Sequence, residues 1–333
     1  MDAPPTIPPT PPSPPLLHDI PRVPTRATFD ALVQRRQPVI LSFSAPQAAA
    51  WSDQVIRGLR ERQLPACFLE GRRSAAAPSP YTSYYTQMRS FMTARFRRKQ
   101  TLKECEASGR RWIVSGIDLE TPQGLDVLDA LDGLMPSGCT TDATGCWLSS
   151  AGCDTSLHFD AFNPDNFHLV TCGEKDIVLF PPEEAEKLYC FGGPRYMTRF
   201  AAAVDPFRPD MARFPLYGST TSGLRATLHA GDVIFIPALY WHALVHVGAL
   251  NLSLTRWYYA PAEAQPALPS IAPRVHLNGV RLLLFEPLRD AVCAACRSAQ
   301  LGGLLLALLA AFFVASSPPD FSILPVRTML MSS

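Results

Sequence analysis

The sequence has no second cysteine pair to match Cys293–Cys296, no apolar leader at its start and no regular cysteine spacing, although it carries nine cysteines. A disulfide framework wants paired, patterned cysteines, a zinc site normally wants two pairs, and a redox C-x-x-C wants a strand–helix setting. The cysteines therefore read as small core residues in a reducing compartment. Without a leader or transit pattern, the expected location is intracellular, cytoplasm or nucleus. Charge is also sparse: 18% of residues are charged and 47% apolar, which excludes a disordered chain and predicts a folded core. The net charge of +1 conceals an asymmetry. Residues 1–115 hold 17 Lys/Arg against 8 Asp/Glu, a balance of +9, and the remainder holds 13 against 21, or −8. A basic N-terminal part suits an anionic partner. Long apolar runs are scarce as well. Leu301 to Ala315 has fifteen residues without a polar side chain, about 22 Å as a helix against the roughly 30 Å of a bilayer core. Two readings stand for it: a buried or dimer-forming helix, or a C-terminal membrane anchor.

Proline is abundant, and its distribution sets the domain organisation. Eight of the first fifteen residues are proline, which predicts a solvated, polyproline-like tail over 1–18. Residues 19–115 read as an α/β lead-in packed on the domain that follows. "TRATFDALVQRRQPVILSF" predicts a helix with Phe29, Leu32 and Val33 on one face, running into a strand over Pro38–Phe43. A helical stretch at 84–103 carries Arg95, Arg97, Arg98, Lys99 and Lys103, either as a solvated face or as a phosphate-binding surface. Residues 116–262 consist of short apolar or alternating runs between Gly, Pro and Asn turns. That pattern predicts a mainly β barrel or sandwich and not βαβ units. Here "HAGD" reads as a tight hairpin turn, and "FIPALYWHALVHV" as one long strand broken at Pro237. Residues 272–333 turn helical again and include the apolar segment 301–315.

The chemistry concentrates in "TSLHFDAFNPDNFHLV", residues 155–170. Residues i and i+2 of a strand share a face, so His158 and Asp160 project together. With His242 from a distant strand they make a two-histidine, one-carboxylate set. Such a set leaves three positions open on an octahedral metal, which suits non-haem Fe(II), whereas zinc prefers a closed tetrahedron. Lys175 points into an apolar strand, "GEKDIVLFPP". A buried ammonium needs an anion, and a dicarboxylate whose other end chelates the metal supplies one. Thr155 and Asn166 are neutral hydrogen-bonding groups suited to that carboxylate. His168 reads as a core or neighbouring residue. His246 shares His242's face but lies roughly 13 Å along the strand, too far for the same ion.

"TSLHFD…N…GEKDIVLFPPEEAEKLY" and "LHAGDVIFIPALYWHALVH…NLSLTRWYY" resemble the JmjC/cupin Fe(II)- and 2-oxoglutarate-dependent oxygenases. The likeness runs over roughly residues 19–260. It is nearest to the members that hydroxylate the wybutosine base of phenylalanine tRNA, and the asparaginyl hydroxylases are further off. The resemblance implies a double-stranded β-helix (jelly-roll) core with flanking N- and C-terminal α-helices. It implies that His158, Asp160 and His242 bind Fe(II), and that Thr155, Asn166 and Lys175 hold 2-oxoglutarate, with O₂ as the further co-substrate. It also implies dimerisation through C-terminal helices. Two features depart from the family. The stretch "AFNPDN" is two residues longer than usual, and Val170 stands where many members have glutamine. Asn251, Ser253 and Thr255 all remain candidates to face the site. The function expected is hydroxylation of a hypermodified tRNA base. The alternatives are a protein hydroxylase or lysyl demethylase and, from another class, a non-catalytic cupin binding module.

Overall fold

A computed structural model describes residues 12–64, 66–69, 100–118, 126–160, 164–191, 201–202 and 204–261, all within the compact unit Met1–Val280. The start of the proline-rich tail, the basic residues Arg95–Lys99 and the segment 272–333 with its apolar run 301–315 lie outside these residues. Among the described residues no helix is long and apolar enough to cross a membrane.

The lead-in forms as its local sequence dictates. Helix α1 (Arg26–Gln34) starts at Thr25, whose side chain accepts from the Thr28 amide, and it buries Phe29 and Val33. Strand β3 (Val39–Ser42) follows, after the short strands β1 (His18–Asp19) and β2 (Arg22–Val23) that precede the helix. Helix α2 (Ala45–Leu59) is capped by Ser44 and has proline in its first turn, where the missing donor is harmless. Helix α3 (Leu102–Ala107) begins at a reciprocal Thr101–Glu104 capping box. Strands β4 (Cys67–Leu69) and β5 (Arg111–Asp118) and helix α4 (Asp126–Asp132) complete this part.

The strands that follow switch sheet at six of their nine connections. They are β6 (Thr140–Ser150), β7 (Asp154–His158), β8 (Asp165–Cys172), β9 (Glu174–Phe180), β10 (Cys190–Phe191), β11 (Ala201–Ala202), β12 (Leu224–His229), β13 (Asp232–Ile236), β14 (Trp241–His246) and β15 (Leu250–Tyr259). One sheet has the order β1-β12-β9-β14-β7-β11-β10 and the other β2-β3-β13-β8-β15-β6-β5-β4. The alternation winds the chain into a jelly roll, the double-stranded β-helix that the resemblance implies.

Two local readings change. "HAGD" is a tight turn, but not a hairpin: β12 pairs with β9 in one sheet, and β13 pairs with β3 and β8 in the other. Gly231 makes this corner at φ +99, and a side chain there would strike the Phe43 carbonyl. Likewise "FIPALYWHALVHV" is two strands in two sheets. Pro237 ends β13, and Leu239, at φ +69, turns the chain into β14.

Alternation along the strands separates two cores. Phe167 and Leu169 of β8, Val233 and Phe235 of β13, and Leu252 and Leu254 of β15 face outward. They pack with Phe29, Trp51, Val55 and Leu131 of the helices. Their neighbours in sequence face the barrel interior, where Val170, Ile234 and Ile236 meet Ile177, Leu179 and Leu244 from the opposite sheet. Among the described cysteines, Cys105, Cys146, Cys153 and Cys190 are buried, in keeping with a packing role.

Candidate functional site

Antiparallel pairing of β7 with β14 sets His158 directly opposite His242, with their ring centroids 4.2 Å apart. Asp160 follows immediately beyond the end of β7. One carboxylate oxygen, Oδ1, lies 3.8 Å from the Nε2 of each histidine, and the three ligand atoms fall within 4.8 Å of one another. Each imidazole donates its Nδ1 proton to the carbonyl two residues earlier, His158 to Ser156 at 2.8 Å and His242 to Tyr240 at 3.1 Å. That choice of tautomer turns both Nε2 lone pairs toward Asp160. Burial, reinforced by the neighbouring His242, lowers His158 to about 4, so the ring is neutral and free to ligate.

Asp160 is held from behind. Its Oδ2 accepts the Asn166 amide at 2.8 Å and the Trp257 indole N–H at 2.9 Å, which leaves Oδ1 aimed between the histidines. Room for the indole comes from Gly145 on β6, where a Cβ would lie 2.8 Å from the Trp257 ring. Asp165, one residue before Asn166, is itself anchored by Arg36 at 2.6 and 3.1 Å and by the Ala238 amide at 2.7 Å. The lead-in thus fixes both the start of β8 and the turn that delivers His242.

The interior continues from this triad along β14 to Lys175, whose register partner is His246. Lys175 is 1% exposed, its Nζ donates to Ser253 Oγ at 2.5 Å, and among the described residues no carboxylate pairs with it. Burial lowers its ammonium to about 7. His246 is buried against Ser149 through Nδ1, and His168 is bonded through Nδ1 to Thr255 Oγ1 at 2.9 Å. Burial and then the Lys175 charge push both imidazoles well below the usual histidine range. A small cavity of about 40 Å³ is lined by residues of both ends, with Thr155, Trp147, Thr255 and Leu244 also on its wall.

All six residues singled out from the sequence line this cavity: His158, Asp160, Asn166, Thr155, Lys175 and His242. Asn166 shows a contact that its sequence reading lacks, its amide nitrogen lying on Asp160. Of the three unresolved positions on β15, Ser253 meets Lys175, Thr255 faces the cavity, and Asn251 bonds Gly248 and Glu174 at a corner. Trp257, Trp147 and His168 also line the cavity, at positions to which sequence reasoning gave no role in the site. Strand parity carried part of the signal for two of them, since His168 shares the face of Asn166 on β8 and Trp257 that of Ser253 and Thr255 on β15; Trp147 on β6 had no such signal.

A jelly roll with two histidines and a carboxylate at one end of its interior and a buried lysine toward the other is the layout of a cupin of the JmjC type with a candidate metal-ligand set. The profile of the Cupin-like domain matches residues 25–264, and the chain belongs to that family. It is similar to tRNA wybutosine-synthesizing protein 5 of Gallus gallus, 34% identical over 119 residues that cover 35% of this chain and 34% of that protein. It is also similar to the bifunctional peptidase and (3S)-lysyl hydroxylase JMJD7 of Homo sapiens, 32% identical over 32% of this chain and 38% of the relative. HSPB1-associated protein 1 of Bos taurus is 29% identical over 39% of this chain and 26% of its own length. The matched segments therefore span about a quarter to two fifths of these relatives.

Proposed function

We propose that the protein is a JmjC-type hydroxylase that uses Fe(II), 2-oxoglutarate and O₂, with a hypermodified tRNA base as its substrate. The observation that carries the reading is the presence in one cavity of an open His158–Asp160–His242 set and a buried Lys175 that pairs with no carboxylate among the described residues. A solvated or purely structural lysine would not be left so. The donor set fits Fe(II): two neutral imidazole nitrogens and one carboxylate oxygen ligate on one side and leave the other side open. The cavity end fits a dicarboxylate, because a single buried cation is balanced by the remote carboxylate of an acid chelated at the metal.

Bound there, iron and the 2-oxo acid would supply the oxidising power to place one oxygen of O₂ in a C–H bond, yielding succinate and CO₂. The chain's own contribution is positional. Ser156 and Tyr240 hold the imidazole tautomers, Asn166 and Trp257 hold Asp160, and Lys175 with Ser253 fixes the far carboxylate. Ile236 and Leu244 on the cavity wall keep water from the reacting end.

The tRNA substrate is supported by similarity to tRNA wybutosine-synthesizing protein 5 and by the +9 balance of residues 1–115. Similarity to a (3S)-lysyl hydroxylase favours a protein side chain as the second reading. The intact triad and lysine speak against a module that binds without catalysis. Anaerobic addition of Fe(II) and 2-oxoglutarate should give the visible charge-transfer band of the chelate, and no band would overturn the dioxygenase reading. Mass spectrometry of tRNA from cells lacking the protein should then show loss of a hydroxyl on a hypermodified guanosine. Unchanged tRNA with a missing hydroxyl on a lysine would assign the protein substrate instead.

A further inference from the structure

His168 is 7% exposed, lines the cavity, and keeps a buried Nε2 with no hydrogen-bond partner among the described residues. A buried polar atom left alone costs stability, so its persistence on a cavity wall points to a ligand. The bonds behind the ring decide what Nε2 offers. Trp147 Nε1, which can only donate, donates to Thr255 Oγ1 at 3.1 Å. For the Thr255 hydroxyl proton, His168 Nδ1, 2.9 Å away, is the acceptor at hand among the described residues. With Nδ1 accepting, the proton of the neutral ring sits on Nε2. The free atom is a donor and seeks an acceptor.

The acceptor must lie beside Lys175. Lys175 Nζ rests on Ser253 and the His168 ring on Thr255. These two residues are successive inward positions of β15, roughly 7 Å apart by strand geometry. Lys175 rises from the seven-stranded sheet and His168 from the eight-stranded one, so the two donors converge from opposite walls. A carboxylate has two oxygens and can take one bond from each.

We propose, resting on the 2-oxo-acid reading above, that His168 Nε2–H is a second donor to the remote carboxylate of 2-oxoglutarate, shared with Lys175, and that Trp147 and Thr255 position it. A neutral donor suits this place: it binds the second oxygen without setting another cation next to the ammonium. His168 is thus a specificity-determining residue for the length and charge of the co-substrate.

Titration calorimetry on the full chain loaded with Mn(II), which binds such donor sets without turnover, tests this with 2-oxoglutarate and with pyruvate, a 2-oxo acid lacking the remote carboxylate. H168F should weaken 2-oxoglutarate about tenfold or more, equivalent to about 1.4 kcal/mol, and leave pyruvate unchanged. H168Q, which restores a donor, should stay within about threefold of wild type, since a conservative donor recovers most of a hydrogen bond. Thr255→Val keeps the ring but releases its tautomer, so it should show a smaller loss confined to 2-oxoglutarate even where H168F is too unstable to measure. Equal affinity of wild type and H168F for 2-oxoglutarate would overturn the proposal alone, as would parallel losses for both acids. Wild-type protein that binds pyruvate and 2-oxoglutarate equally, or neither, overturns the reading of the site and this proposal with it.

Discussion

Strands β8 and β15 present two unlike faces a few ångströms apart. Outward, Phe167, Leu169, Leu252 and Leu254 sit in a close-packed apolar layer under the helices. Inward, Asn166, His168, Ser253, Thr255 and Trp257 form hydrogen bonds that end at a carboxylate, a lysine and unpartnered atoms. The outward face lowers the free energy of the fold. The inward face raises it, because polar groups are buried there without full partners. Period-two alternation lets one strand do both without compromise, and the stable face over-determines the backbone that carries the strained one.

Substitutions on the two faces should therefore separate activity from stability. The largest effect is expected from Asp160→Ala or His158→Ala: turnover of 2-oxoglutarate falls below detection while the melting temperature stays near wild type. Wild-type turnover by either variant would disprove the metal assignment. On the other face, Phe167→Ala should lose about 3–5 kcal/mol of unfolding free energy, as large-to-small changes in buried cores do. The molecules that remain folded should keep an unchanged Michaelis constant, which chemical denaturation combined with kinetics will separate.

Lys175→Met reverses the usual direction of a core mutation. It should weaken 2-oxoglutarate about a hundredfold, the order seen when a buried charge loses its partner, yet stabilise the ligand-free protein. The folded lysine is lowered from 10.5 to about 7, so between those values the unfolded chain binds more protons than the folded one, and stability rises with pH. Below pH 7 both states are protonated and the penalty is complete. Wild-type stability should thus climb, by a few kcal/mol at most, from pH 7 to 10, and Lys175→Met should lack that climb. Parallel pH profiles for the two proteins would show that the ammonium is not desolvated as the structure places it.

How much of this was legible in the chain depends on distance along it. His158 and Asp160 announce themselves because they are two positions apart, although β7 ends at His158 and Asp160 lies just past it rather than on a shared strand face. Lys175 does so because an ammonium in an apolar run needs a reason. By contrast, the roles of His168 and Trp257 rest on partners 87 and 97 residues away, set by the register of β15 against β8 and β6. No single-sequence pattern encodes that register. The corner at Gly231 misled for a related reason: a two-residue glycine turn fits a hairpin and a jump between sheets alike, and only the pairing of β12 and β13 with other strands decides. In "FIPALYWHALVHV" Pro237 was visible as a break, but not that the halves would part into separate sheets.

The smallest effect sharpens the comparison most, because it stays within the inward face. Trp257→Phe keeps a ring in the slot that Gly145 opens but removes the indole donor from Asp160 Oδ2. Asn166 still donates to the same oxygen at 2.8 Å, so Asp160 is loosened but not released. Groups that orient a metal ligand are typically worth 10- to 100-fold in metal affinity. With one of two donors left, the expected loss is near the low end, about tenfold. Chelator competition with Fe(II) or Mn(II) measures it independently of turnover. Trp257→Phe combined with Asn166→Ala should lose more than the product of the single losses, because only then is Oδ2 buried without any donor. Strictly multiplicative losses would mean that the two donors hold Asp160 independently.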